Sequence, residues 1–155
     1  MSKSIKLYTD GSCSGNPGPG GWGWVLEYGE HQKGGYGACM HTTNNRMELL
    51  AVITGLNQIT NKSIPVEVYS DSKYIVSAMT QGWMENWRSR DWVNTRKKEV
   101  ANRDLWEYLS QLTAQFDTIT FNWIKGHNGH PGNEQADRLA REGMELGAYA
   151  VELSV

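Results

Sequence analysis

Residues 5–12 read Ile-Lys-Leu-Tyr-Thr-Asp-Gly-Ser, and residues 66–72 read Val-Glu-Val-Tyr-Ser-Asp-Ser. In the first stretch Ile5, Leu7 and Thr9 alternate with polar neighbours, and Asp10-Gly11 is a turn dipeptide, so a strand ending at Asp10 is expected. In the second, a short β-rich run over 66–69 follows Pro65, and Ser70-Asp71-Ser72 is a helix-start signal. The pattern is the same twice: a strand, then an aspartate.

Working outward, residues 22–28 and a weaker stretch at 36–40 read as two more strands, joined by a polar turn over 29–34. The period then changes. Leu49, Val52, Ile53 and Leu56 fall on one face of a helix expected over 44–59. A short helix over 74–79, a helix over 104–116, an alternating strand over 118–124 and a closing helix over 131–146, with Pro131 near its first turn, complete the reading. A strand meander followed by alternating helices and strands is a mixed α/β sheet, and such sheets place ligands beyond the carboxyl ends of their parallel strands.

The chain has 155 residues, 39% of them hydrophobic, enough to bury roughly two-thirds of its unfolded surface in one core. No internal repeat, low-complexity tract or linker divides it, so one domain over 1–155 is expected. The formal charge of -2 gives no whole-protein attraction to a polyanion, and any such attraction must be local. Cys13 and Cys39 are too few for a disulfide framework and fit a reducing compartment as thiols. With no signal-peptide core and no membrane-length apolar run, a soluble, cytoplasmic protein is expected. Residues 143–155 are expected to be loosely ordered at least in part.

The chemistry is expected from four carboxylates, each with an ordinary structural alternative. Asp10 could serve a turn, Glu48 could close a capping-box contact with Asn45, Asp71 could cap a helix, and Asp137 could pair with Arg141 one turn on. Their settings point elsewhere: two aspartates end adjacent-looking strands, and Glu48 and Asp137 lie near the starts of helices that could flank those ends. Carboxylates brought that close repel unless cations neutralise them. An all-oxygen set without His or Cys suits Mg²⁺, which takes its remaining ligands from water and phosphate. The expected reaction is phosphodiester hydrolysis, which two ions roughly 4 Å apart could assist from both sides of the scissile bond.

Five strings then carry a resemblance: Tyr8-Thr9-Asp10-Gly11-Ser12, Asn16-Pro17-Gly18-Pro19-Gly20-Gly21, Thr42-Thr43-Asn44-Asn45-Arg46-Met47-Glu48, Ser70-Asp71-Ser72, and Trp123-Ile124-Lys125-Gly126-His127-Asn128-Gly129-His130 on to Asp137. Together, in order over residues 5–141, they resemble type 1 ribonuclease H, and most closely its bacterial ribonuclease HI branch. The resemblance implies a ribonuclease H-like fold with a five-stranded mixed sheet in order 3-2-1-4-5 and flanking helices. It also implies Mg²⁺-dependent endonucleolytic cutting of RNA in RNA/DNA hybrids, leaving 3′-hydroxyl and 5′-phosphate ends. One or two ions are expected, with Mn²⁺ as a substitute. Asp10, Glu48, Asp71 and Asp137 match the metal-binding carboxylates, and His127 matches a histidine that helps proton transfer or product departure. Read on its own, His127 sits in a polar, Gly-rich loop that is a poor place for a packed histidine, whereas His31, His41 and His130 read as surface or packing residues.

An enzyme for hybrids must sense the 2′-OH in the wide minor groove. Gly11, Ser12 and Cys13 could offer backbone contacts at close approach, and Asn16, Asn44 and Asn45 paired donors and acceptors; helix capping is the alternative for the asparagine pair. The resemblance places the RNA strand at these residues, and a DNA phosphate at Thr43 with Asn102. Residues 83–102 resemble the family's basic protrusion for the DNA strand, with Trp83, Arg88, Arg90, Lys97 and Lys98 as contacts. Across residues 88–103 six cations face two acids, Asp91 and Glu99, for +4, but Glu85 and Asp104 just outside halve that excess. A weak grip is therefore expected, in a monomer with no membrane association and no obligate protein partner.

Overall fold

The structure, a computed structural model, describes residues 3–126 and 129–153. The chain runs β1 (Ile5–Cys13), β2 (Gly18–Tyr28), β3 (His31–Thr42), α1 (Asn44–Asn57), β4 (Val66–Ser70), α2 (Lys73–Thr80), α3 (Trp83–Ser89), α4 (Arg103–Thr113), β5 (Ile119–Trp123) and α5 (Pro131–Leu153). The strands form one sheet in the order β3-β2-β1-β4-β5, as expected from the resemblance. The β1–β2 and β2–β3 pairs are antiparallel, and β1–β4 and β4–β5 are parallel.

Strand β1 lies at the centre and is covered on both faces. Leu7 belongs to the larger core, with Leu49, Val52 and Leu56 of α1, Ile75 of α2, and Trp106 and Leu109 of α4. Tyr8, one residue on, belongs to a smaller cluster with Val25 and with Ala136 of α5. Successive strand side chains point to opposite faces, so one strand organises both layers. On the second face α5 lies almost directly on backbone: a Cβ on Gly23 would stand 2.4 Å from the Ala136 carbonyl oxygen and 2.6 Å from the Ala140 nitrogen. Glycine is required there by space.

Several boundaries differ from the sequence reading. Asp10-Gly11 is not a turn. The strand continues to Cys13, with Gly11 opposite Trp22 and Ser12 opposite Gly21. Gly11 is glycine because α1 presses on it, a Cβ there falling 2.5 Å from the Glu48 nitrogen. The polar turn expected over 29–34 shrinks to Gly29-Glu30, and β3 starts at His31. Its glycines stay in the strand because tryptophans lie over them, a Cβ on Gly35 meeting the Trp24 ring at 2.4 Å and one on Gly37 the Trp22 ring at 2.0 Å.

Helix α3 was not expected, and α5 continues past residue 146 to Leu153. The segment from residue 143, expected to be loose at least in part, begins as packed helix: Gly143 is buried against Gly37, and the Ser12 hydroxyl reaches the Met144 sulfur at 3.7 Å.

Gly23→Ala should lower the unfolding free energy by about 2 kcal/mol, as overpacking a rigid backbone contact does. Gly34→Ala should cost clearly less, because its nearest neighbour is the mobile end of Leu139, at 3.2 Å. Urea denaturation of both variants decides this; equal losses would show that α5 does not rest on Gly23.

Candidate active site

The parallel pairing of β1 with β4 ends at Thr9 opposite Ser70, so Asp10 and Asp71 emerge next to each other from neighbouring strands. Asp71 does not cap α2. That cap is Ser72, whose hydroxyl accepts from the Ile75 N–H at 3.3 Å, which leaves the Asp71 carboxylate to the sheet edge. Helix α1 is capped by Thr43, which accepts from the Arg46 N–H at 3.3 Å, and not by Asn44 or Asn45. Glu48 therefore closes no capping box; it is 4% exposed and turned toward Asp10 and the Gly11 N–H.

Ligand oxygens of Asp10, Glu48 and Asp71 lie within 4.8 Å of one another. Asp137, on α5, lies close enough to Asp10 to help raise its carboxyl and pairs with Arg141 at 3.3 Å. The Arg141 pairing is thus present, and Asp137 is not among the three carboxylates whose ligand oxygens converge.

Burial is the largest influence on Asp10 and Glu48, and it pushes both carboxyls well above the ordinary carboxylate range. The Glu48 and Asp71 charges push Asp10 further up, and Asp71 does the same to Glu48. Hydrogen bonds from Asp10 and from the Gly11 N–H partly relieve Glu48. Glu48 Oε2 is buried without a hydrogen-bond partner among the described residues. A buried carboxylate oxygen without a partner, in an all-oxygen cluster of crowded carboxylates, fits a hard ion such as Mg²⁺. The site and a divalent cation therefore match.

The rim is built from neighbouring segments. The Asn16 side-chain oxygen accepts from the Asn44 N–H at 3.0 Å, joining the Gly-rich loop to the start of α1. The Cys13 thiol donates to the Gly15 carbonyl at 2.8 Å, and Ser12 and Cys13 lie on the extension of β1. Gly126 borders the site, where a Cβ would stand 2.6 Å from Asp71 Oδ2. The next residue, His127, lies outside the described residues. His130 packs against Tyr8, ring centroids 4.9 Å apart, in keeping with a packing residue.

Thr43 and Asn102 meet across Arg46. The Arg46 guanidinium contacts Asn102 Oδ1 at 3.4 Å and grips the Asp104 carboxylate at 2.9 and 2.8 Å. That grip holds Asp104 below the usual carboxylate range. Sequence reasoning missed this network, because its partners are far apart in the chain and only the Thr43–Arg46 spacing is local.

In the protrusion, Trp83, Trp87 and Trp106 form a row of rings, with centroids 6.5 and 5.4 Å apart, that anchors α3 to α4. Trp83 ends the row in solvent, 41% exposed. Arg88 pairs with Glu85 at 2.8 Å, and Arg103 pairs with Glu107 and lies 4.0 Å from both Asp91 and Glu99. Arg90, Arg96, Lys97 and Lys98 are exposed and form no ion pair among the described residues.

Comparison with known proteins gives four matches. The family model described as RNase H matches residues 2–145. A curated ribonuclease H from Saccharopolyspora erythraea is 49% identical over 142 residues, covering 92% of this chain and 91% of that protein. Among solved structures, LC9-RNase H1, described as a type 1 RNase H with the type 2 active-site motif, matches with a TM-score of 0.81 at 30% identity, over 94% of this chain and 74% of that one. LC11-RNase H1 in complex with RNA/DNA hybrid matches with a TM-score of 0.68 at 26% identity, over 94% and 99% of the two chains.

The raised carboxyls predict how the metal-free protein responds to pH. Asp10 and Glu48 ionise in the unfolded chain near their ordinary values of 3.8 and 4.5 but hold their protons in the fold. Stability without metal is thus fully present below those values and is lost as pH rises above them. Asp10→Asn should raise the unfolding free energy in chelator by about 2 kcal/mol at pH near 7, and by almost nothing near pH 4. Thermal melts at both pH values test this, and an equal gain at both would refute the charge argument.

Proposed function

This chain belongs to the ribonuclease H family, and from that membership we propose how it hydrolyses the RNA strand of RNA/DNA hybrids: Asp10, Glu48, Asp71 and Asp137 hold Mg²⁺ at the end of the β1–β4 pair. The observation that carries the assignment is the convergence of three carboxylates, one with an orphaned buried oxygen, where two parallel strands end. One or two ions are bound, and Mn²⁺ substitutes. When bound, Mg²⁺ supplies charge neutralisation on the phosphodiester and a water acidified toward neutrality.

The remaining work belongs to the chain's own groups. Glu48 and Asp10, buried at the end of the β1–β4 pair, present their oxygens to the ion from fixed positions. Gly11, Ser12 and Cys13 offer backbone at close approach to the RNA strand, and Asn16, Asn44 and Asn45 offer amides to its minor groove, where the 2′-OH distinguishes RNA from DNA. His127 moves a proton or aids product departure, and products carry 3′-hydroxyl and 5′-phosphate ends. Thr43 with Asn102 receives a DNA phosphate, and Trp83, Arg88, Arg90, Lys97 and Lys98 follow the DNA backbone. The relative solved with an RNA/DNA hybrid supports this choice of substrate.

The chain acts as a single catalytic domain, a cytoplasmic monomer without an obligate partner. No described helix is long and apolar enough to cross a membrane.

Labelled hybrid, double-stranded DNA, double-stranded RNA and single-stranded RNA, offered with Mg²⁺ and then with chelator, should show cutting of hybrid RNA alone. Chelation and Asp10→Asn should each abolish it. Equal cutting of double-stranded DNA, or activity that survives Asp10→Asn, would sink the assignment.

The internal pairing of Arg88 and Arg103 predicts a weak grip. Binding to hybrid should fall with salt at a log–log slope of roughly −3 to −4, as for about four phosphate contacts. A slope near −8 measured by titration would contradict it.

A further inference from the structure

Asn102 occupies the N-cap of α4, where an asparagine ordinarily turns its side-chain oxygen back to the first N–H groups of its own helix. Here it makes no such bond, although its backbone is left-handed at φ 60 and its carbonyl starts the helix. The side chain is held from outside instead. Its oxygen faces the Arg46 guanidinium at 3.4 Å and its amide nitrogen donates to the Tyr74 hydroxyl at 3.4 Å, which also accepts from the Trp106 indole N–H at 2.8 Å. Arginine only donates, so the amide oxygen must face Arg46 and the nitrogen must face Tyr74.

This fixes one amide N–H on Tyr74 and leaves the second for an acceptor. The Thr43 hydroxyl is in the same condition, since its oxygen accepts from the Arg46 N–H and its own hydrogen remains to be given. Arg46 touches both groups, and Asp104 holds the guanidinium with two short bonds.

We infer that Arg46 and Tyr74 are positioning residues for the DNA strand: they clamp the Asn102 amide so that its remaining N–H, together with the Thr43 hydroxyl, meets one phosphate oxygen. The inference rests on the reading of Thr43 and Asn102 as a DNA-phosphate pocket, and it adds what sets their geometry. Tyr74 stands three residues after Asp71, so the clamp also ties the grip on the DNA strand to the element that carries a metal-site carboxylate.

The test is steady-state cleavage of hybrids in which a single uncharged methylphosphonate linkage is moved along the DNA strand. The wild type should lose affinity at one linkage. Tyr74→Phe keeps the ring against Trp106 but removes the acceptor. It should raise KM about fivefold with kcat unchanged, the loss of one net hydrogen bond, and should blunt the response to that linkage. Asn102→Ala should raise KM similarly, and the double variant should rise no further. Asp104→Asn, at a side chain 64% exposed and so harmless to folding, should move KM in the same direction.

If Asn102→Ala raises KM while Tyr74→Phe and Asp104→Asn do not, or if their effects simply multiply, the clamp is overturned and the pocket stands. If Asn102→Ala and every linkage leave KM unchanged, the pocket reading falls and the inference falls with it, without touching the carboxylate site.

Discussion

The whole site depends on the parallel pairing of β1 with β4. Their ladder stops at Thr9 and Ser70, and the next residue on each strand is an aspartate. Two carboxylates are thereby brought together by backbone hydrogen bonds, which resist their mutual repulsion in a way that flexible loops could not. Helix α1 completes the arrangement because it is pressed against β1 at Gly11, and that close approach drives Glu48 into the same space. Burial then makes the cluster unfavourable as three anions, so the fold holds a standing deficit of positive charge. The rest of the structure supplies the rigidity that keeps the deficit from relaxing.

This explains why the sheet was legible in the sequence and the loops around it less so. Alternating Ile5, Leu7 and Thr9 and the run over 66–69 are local signals, and their tertiary setting agrees with them. The aspartates were legible for the same reason, since each follows a readable strand. Asp10-Gly11 misled because glycine before a turn and glycine beneath a helix look identical in sequence; only the distance to α1 separates them. The glycines of β3 failed in the same manner, being required by the tryptophans of β2 lying over them rather than by a turn.

The capping residues show a second limit. Thr43, Asn44 and Asn45 are all good caps by type; Thr43 serves, while Asn44 gives its N–H to the Asn16 side chain from a loop far off in sequence. Helix α3 is short and its N-cap is Gly82, which offers no side-chain cap, so no local signal marks its beginning. In the structure Trp83 and Trp87 join Trp106 in one row of rings, and that apolar row organises the segment. Its charges lie mostly at the surface, with Arg88 paired to Glu85 and Arg103 to Glu107.

A chain of formal charge -2 that must hold a polyanion faces a conflict, because its chemistry adds a buried negative cluster. The structure resolves the conflict by distance and division of labour. Cations with no ion pair among the described residues stand on the protrusion, outside the carboxylate site, while the rim carries neutral groups such as Asn16, Asn44, Asn102 and Thr43. Neutral donors fixed in place lose little to salt and carry shape information that a mobile lysine does not. Selectivity for one kind of duplex can then rest on amides and hydroxyls of set geometry, with the cations left to general attraction. Arg46 fits this scheme. Its charge is neutralised by Asp104, so its contribution is the rigid fork of its guanidinium, used to place other groups.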